Sequence, residues 1–184
     1  MFWAGITLVA LAAWLAFTYN RLVALARRGD GAWADIDTQL KRRSDLVPAL
    51  VETVKGYASH ERETLEEVVR RRTVATDSPH APDAETRAAE NGLASAMRGL
   101  FALAEDYPEL RANDRFGMLQ GQLAEIEDAL QAARRYYNAV VRDLNTRIAT
   151  FPTVLVAGLL GFGRRDFFEL DSPLERTVPK ADLG

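Results

Sequence analysis

The chain has 184 residues, which suits one ordinary domain with a modest core and leaves little room for a second. Its 27% charged and 48% hydrophobic residues are typical of a folded protein, and a net charge of −3 gives no support for nucleic-acid binding, which needs a basic face. The absence of cysteine excludes disulfides, thiolate metal sites and a cysteine nucleophile.

The N-terminus has the composition of a transmembrane helix. Residues 1–20 contain no charged side chain, and three arginines, beginning with Arg21, follow before the first acidic residue. The apolar stretch at 2–18 is near the lower length limit for crossing the hydrocarbon layer. We therefore predict a transmembrane anchor at residues 1–20. Its membrane contacts at the interface are expected to be the aromatic residues Trp3, Trp14 and Tyr19.

A cleaved signal peptide is the alternative for this segment, because alanines at positions 10, 12, 13 and 16 offer plausible cleavage spacing. No Lys or Arg precedes the apolar run, however, and helix-compatible sequence continues without a break from Tyr19 to Leu22. An uncleaved anchor fits this pattern better. Because the arginines follow the span, the positive-inside tendency places the C-terminal domain in the cytoplasm.

Apolar residues recur at gaps of three and four between Leu22 and Leu40, which predicts the first helix of a bundle covering residues 21–150. Gly29 lies on this stripe, and since glycine costs about 1 kcal/mol in a helix, we expect a close backbone approach there. At positions 44–48 a capping residue, Ser44 or Asp45, precedes Pro48, which predicts the end of this helix and the start of the next. One long helix with a kink at the proline is the alternative.

The second helix is expected to end near Val74, followed by a loop at 76–86 that is rich in proline and capping residues. A third helix should stop at Pro108. The fourth has an uninterrupted heptad seam, formed by Phe116, Leu119, Leu123, Ile126, Leu130, Ala133, Tyr137, Val140 and Leu144. The pattern predicts an all-α fold in which the transmembrane helix is followed by an antiparallel four-helix bundle. An elongated coiled coil that dimerises through one seam is the alternative.

The C-terminal tail, residues 151–184, begins with an apolar stretch that is too short to span a bilayer. It could cap the open end of the bundle or contact lipid, and both interpretations stay open. Up-down topology would return the tail to the membrane, whereas a single helix through Pro48 would leave it far from the bilayer. For a lipid contact the predicted residues are Leu159, Leu160, Phe162, Arg164, Arg165, Phe167 and Phe168.

Candidate catalytic and metal-binding patterns are incomplete. His60 has Thr64 where the zinc-protease pattern needs a second histidine, so we interpret it as a partly exposed helix residue. No Glu-x-x-His motif occurs, and Glu125 and Glu127 flank the core seam, where solvated edges are expected. We therefore predict no catalytic residue, no metal site and no cofactor.

Polar residues near the expected end of the first helix are the candidates for partner binding: Asp37, Gln39, Lys41, Arg42, Arg43 and Asp45. The alternative is a solvated helix end, because cations near a helix C-terminus interact favourably with its dipole. A second expectation concerns Asn20 and Asn138, which occur in similar short contexts. If the first and fourth helices pack together, both could join one polar layer that fixes their register.

The chain resembles the LemA family of bacterial membrane-anchored proteins. The resemblance is carried by YNRLV at 19–23, by AWADIDTQLKRRSDLVPALVETVKGYASHE at 32–61, by YPELRAN at 107–113 and by the stretch at 133–168. It implies a single-pass anchor in the bacterial cytoplasmic (inner) membrane and a helical bundle, and it implies no enzyme. Gly29, Gly31 and Thr38 depart from the residues expected at those positions.

The resulting hypothesis is a non-enzymatic interaction or scaffold module at the cytoplasmic membrane. Its expected partners are membrane lipid and other membrane proteins, among them a membrane protease, and self-association is a further expectation. The alternative function is membrane organisation, in which the anchor and the 154–168 tail both contact lipid and the protein self-assembles. An enzyme is the third and least favoured hypothesis.

Overall fold

The computed structural model describes residues 2–170, and over that range the chain is all-α, as predicted, with no strand. Residues 171–184 of the predicted tail lie outside this range. The helices are α1 (Phe2–Lys55), α2 (Arg62–Thr76), α3 (Ala84–Glu105), α4 (Pro108–Arg111) and α5 (Asp114–Ala149). A 3-10 turn, Thr153–Leu155, follows α5.

α1 continues through Pro48, so the predicted helix boundary at 44–48 is wrong and the alternative of one continuous helix is right. Proline has no N–H to donate to the carbonyl of Ser44, four residues earlier. That carbonyl instead accepts a hydrogen bond from Nε of Arg72, at 2.9 Å. The basic residues 41–43 therefore lie within a helix, and their interpretation as a solvated helix end is also wrong.

The first turn of the bundle lies at residues 56–61. α1 ends before Gly56, and the N–H groups of Tyr57 and Ala58 both donate to the carbonyl of Val54, at 3.0 and 2.9 Å. Ala58 is buried, which fixes the turn against the core. His60 lies in this turn and is exposed, so its predicted place in a helix is wrong.

The later elements match the predictions closely. The loop between α2 and α3 falls within 76–86, and Asp83 caps α3 by accepting a hydrogen bond from the N–H of Thr86, at 2.8 Å. α3 ends before Pro108, which begins the short α4, an element that the sequence pattern did not predict. In α5 every seam residue except Ala133 is buried within the chain itself.

The chain divides into two compact units, and residues 37–130 belong to the second of them. Segments of α1 and α5 join α2 and α3 around one hydrophobic core in this unit, and α2 packs along α3. The fully buried side chains at its centre come from α1, α2, α3 and the short α4: Leu50, Val54, Val68, Leu93, Met97, Leu100 and Leu110. Four helical segments thus bury one common core, as a four-helix bundle does.

The first unit comprises residues 2–36 and 131–168. Its apolar cluster joins Leu22 and Leu25 of α1 to Leu144 of α5 and Ala157 of the tail, with Ile148 and Phe162 packed against it. The tail therefore begins beside the residues that directly follow the predicted anchor. A single helix through Pro48 was expected to leave the tail far from the bilayer; α1 is continuous, and Ala157 nevertheless packs against Leu22 and Leu25, directly after the predicted anchor.

Candidate functional site

The six residues predicted to bind a partner do not form one exposed surface. Lys41, Arg42 and Asp45 are exposed on α1, and Arg42 donates a hydrogen bond from Nη1 to Oε1 of Gln39, at 3.1 Å. Arg43 is only 1% exposed, so its prediction as a docking residue is wrong. A cavity of about 330 Å³ opens beside this part of α1. Three of the predicted residues, Asp37, Lys41 and Asp45, line this cavity. Its other charged or titratable lining residues, which were not predicted, are Arg72, His80 and Glu90.

Arg43 is the centre of a buried ion cluster in the second unit. Its Nη1 donates to Oε1 of Glu127 at 3.0 Å, and its Nη2 donates both to a carboxylate oxygen of Glu90 and to the Glu90 carbonyl. Glu127 is 2% exposed, so its predicted position on a solvated edge is wrong. The cluster ties α1 to α3 and α5 through charges that have no access to water.

Electrostatics keep this cluster ionised on the arginine side. Burial alone would lower the pKa of Arg43, but the adjacent charges of Glu90 and Glu127 outweigh it and hold the pKa above its ordinary value. For Glu90, burial raises the pKa and the Arg43 guanidinium opposes that shift. Nε of Arg43 has no hydrogen-bond acceptor among residues 2–170. A buried ion cluster of this kind adds little net stability relative to apolar packing. Removing one charged member is nevertheless strongly destabilising, because the remaining charges stay buried without a partner.

His80 fastens the α2–α3 loop to α1. Its Nδ1 lies 2.8 Å from Oδ1 of Asp37, and its Nε2 lies 3.0 Å from the carbonyl oxygen of Thr76. Both partners are acceptors, so only the doubly protonated imidazolium satisfies both contacts. The hydrogen bond to Thr76 contributes most to raising the pKa of His80, partial burial opposes it, and Asp37 raises it further. His80 also has a φ of 51°, which is uncommon for a residue other than glycine.

Two asparagines on α5 hold the extended part of the tail in the first unit. Asn145 donates from Nδ2 to the carbonyl of Arg165 at 2.8 Å and accepts from the Arg165 N–H at 2.9 Å. Asn138 pairs in the same two-way manner with Phe168, at 3.1 and 2.9 Å. Asn20 is exposed, so the predicted polar layer that would join it to Asn138 is wrong.

The spacing of the two asparagines along α5 matches the spacing of their two partners along the tail, because an extended chain rises about twice as far per residue as a helix. Seven helical residues separate the asparagines and advance about 10.5 Å along α5, on nearly the same face. Three extended residues, from Arg165 to Phe168, advance about 10 Å. Each amide therefore meets the backbone N–H and C=O of one tail residue with both its acceptor and its donor.

The side chains of the tail split between the protein interior and the surface. Phe168 is fully buried, and its ring lies 4.8 Å from that of Trp33, so its prediction as a lipid contact is wrong. Arg165 pairs with Asp30 at 2.7 Å and passes over Gly29, where a Cβ would lie 2.9 Å from its Nη1. The close approach expected at Gly29 is thus made by a side chain. Leu159 is 88% exposed and Phe167 is 43% exposed.

Comparison with known proteins decides the family. The LemA family profile matches residues 32–182, which is most of the chain. The chain belongs to the LemA family. The matched residues include the Arg43 cluster, the His80 loop and the asparagine contacts to the tail, so these three features lie within the part of the chain that the family profile covers.

The proteins to which this chain is similar include two magnetosome proteins and one protein that bears the family name. Magnetosome protein MamQ 2 of Paramagnetospirillum magneticum is 23% identical over 89% of this chain and 69% of its own length. Magnetosome protein MamQ of Magnetospirillum gryphiswaldense is 21% identical with the same coverage, and Protein LemA of Metamycoplasma hominis is 27% identical over 74% of this chain and 61% of its own length.

Within α1 lies a segment long and apolar enough to cross a membrane, and no other helix among residues 2–170 meets that criterion. Only 6% of this apolar window is buried within the protein, which distinguishes it from the core helix of a soluble domain. Together with LemA membership, this makes the chain a membrane-associated helical protein.

Removing the charge of Arg43 is expected to destabilise the second unit. Arg43→Ala leaves Glu90 and Glu127 buried without a counter-charge, which should cost about 3–5 kcal/mol. Thermal unfolding of the full chain in detergent, followed by circular dichroism, measures the loss. The exposed neighbour Arg42 provides the control, since Arg42→Ala should change stability by less than about 0.5 kcal/mol. Equal effects of the two substitutions would contradict a structural role for the cluster.

His80 is expected to make stability depend on pH. Because its pKa is raised in the folded state, its contribution is fully present below the unfolded pKa of about 6.5 and is lost as pH rises through the folded value. The melting temperature of the native chain should therefore fall as pH rises from about 6.5 through the higher pKa that His80 has in the folded protein. His80→Gln should remove this part of the pH dependence. An unchanged pH profile in the variant would show that the loop contact does not titrate there.

Proposed function

We propose that this LemA-family protein is a non-enzymatic scaffold module that is anchored in the bacterial cytoplasmic membrane and holds a partner protein beside the bilayer. The exposed charged face of α1, formed by Lys41, Arg42 and Asp45, is the observation that carries the proposal. It adjoins the cavity lined by Asp37 and His80, so charged groups of both signs are presented around a concavity. Such a site suits a partner with mixed charge.

The buried cluster beneath this face supports the same role. Arg43 links α1 to α3 and α5, and Arg72 bonds the Ser44 carbonyl from α2. The backbone beneath the exposed residues is therefore held from three helices. A surface fixed in this way binds without the entropic cost of ordering its backbone.

The chemistry of the described residues favours binding over catalysis. Residues 2–170 contain no group of three or more His, Asp or Glu side chains placed to hold a metal ion. His80 directs both ring nitrogens at acceptors, so neither is available as a general base. We therefore place the function in recognition. The MamQ relatives are named as magnetosome proteins.

Substitution of the exposed face should abolish partner capture. In K41A/R42A/D45A, two cations and one acid are removed while Arg43 stays in place, so the fold is retained and the docking charges are lost. Crosslinking in native membranes, followed by purification and mass spectrometry, should show one or more partners missing. The exposed set Glu109, Arg111 and Arg115 gives a matched control with the same change in charge. If both triple variants keep the native crosslinking profile, this face is not the docking surface.

The proposed orientation can be tested because the native chain has no cysteine. Ser95→Cys, at an exposed position of α3, should react with a membrane-impermeant maleimide only after spheroplasts are permeabilised. Phe2→Cys, which is proposed to lie outside, should react in intact spheroplasts. Labelling of Ser95→Cys before permeabilisation would reverse the orientation without affecting the membrane anchor itself.

A further inference from the structure

The start of the tail exposes an unusual amount of apolar surface. Between Arg147 and Arg164 the chain has no charged side chain. Four large apolar residues in this stretch are at least half exposed: Phe151 at 75%, Val154 at 50%, Leu155 at 65% and Leu159 at 88%. Clusters of this kind mark binding surfaces for protein or membrane. We call these four residues the tail patch.

The tail patch is attached to the end of the apolar span in the same unit. The ring of Phe162 lies 5.8 Å from that of Tyr19, and Ala157 packs against Leu22 and Leu25. Residues 2–13 are all exposed, whereas Trp14 and Leu15 are half-buried and Thr18 is buried. The last turn and a half of the span is thus the level at which burial by the protein begins. The neighbours of the patch in the tail, Ala157 and Phe162, contact residues 19–25, which directly follow this level.

The backbone of this segment is suited to a site with little water. The N–H groups of residues 154–157 and 160–162 each donate to a carbonyl within 150–158, at 2.9–3.1 Å. Insertion at the interface would therefore leave most of the N–H groups of residues 154–162 paired in a poorly hydrated region. A segment that needed water to satisfy its backbone could not bury its side chains in lipid at low cost.

We propose that the tail patch inserts into the lipid interface as a second membrane contact beside the span. Its continuity with the proposed span selects lipid as the occupant, because Phe162 of the same segment contacts Tyr19 at the end of that span. The proposal shifts the lipid contact of the tail from the predicted residues 154–168 to residues 151–159, because Phe168 is buried and Arg165 pairs with Asp30. It rests on the membrane anchoring in the proposed function, and not on partner binding.

Single cysteines allow a direct test in the full chain. Leu159→Cys and Leu155→Cys are labelled with the fluorophore nitrobenzoxadiazole and reconstituted into vesicles of phosphatidylethanolamine and phosphatidylglycerol in equal parts. A fraction of the lipid carries a doxyl quencher close to its headgroup. Ala139→Cys, at an exposed position of α5 in the same unit, is the control outside lipid. Ile6→Cys, within the span, is the control inside it.

The labels at Leu159 and Leu155 should show blue-shifted emission and several-fold stronger quenching than the label at Ala139. Both native side chains are exposed, so neither substitution removes core packing, and each variant checks the other. If Ile6 is quenched but the tail labels match Ala139, the tail proposal is overturned while the anchor stands. Tail labels that are shielded from lipid quencher and from aqueous iodide alike would show that protein covers the patch, which also overturns it. No quenching at Ile6 would contradict the anchor itself.

Discussion

A buried backbone polar group that leaves regular pairing must find another partner, and this constraint explains two places where the fold departs from regular helical hydrogen bonding. At Pro48 the missing N–H frees the carbonyl of Ser44, and the guanidinium of Arg72 takes its place. In the tail, the backbone N–H and C=O groups of Arg165 and Phe168 have no neighbouring strand within residues 2–170. The side-chain amides of two asparagines on α5 pair with them instead. In both cases a side chain on another element satisfies the backbone groups that regular structure leaves unpaired. The same hydrogen bonds hold two elements together.

The Arg43 cluster has a different purpose from those backbone contacts. Its two carboxylates come from α3 and α5, so only one arrangement of three helices brings all the charges together. Any slip of one helix would leave a charge buried alone, which is far more costly than an imperfect apolar contact. The cluster therefore discriminates between alternative packings of helices whose apolar stripes are otherwise alike.

Much of this architecture could be predicted from the sequence, because heptad spacing reports burial directly. The α5 seam and the loop before α3 follow from apolar periodicity and capping residues. The boundary of α1 could not be predicted in the same way. Local signals at Ser44 and Pro48 indicate a helix end, and they are overridden by Arg72, which is distant in sequence. For the same reason Arg43 read as a surface cation: its carboxylate partners lie 47 and 84 residues away. The exposure of Phe151 and Leu155 was likewise missed, although the uncharged stretch from 148 to 163 was a visible signal.

The match between seven helical residues and three extended ones imposes a rule on how this protein can change in length. One residue inserted between Asn138 and Asn145 would turn one amide by about 100° around α5 and carry it away from the tail. One residue inserted between Arg165 and Phe168 would displace the backbone N–H and C=O groups that the second amide contacts. Substitutions in this region can therefore be absorbed one at a time, whereas insertions and deletions cannot, so sequence drift here should proceed at constant length.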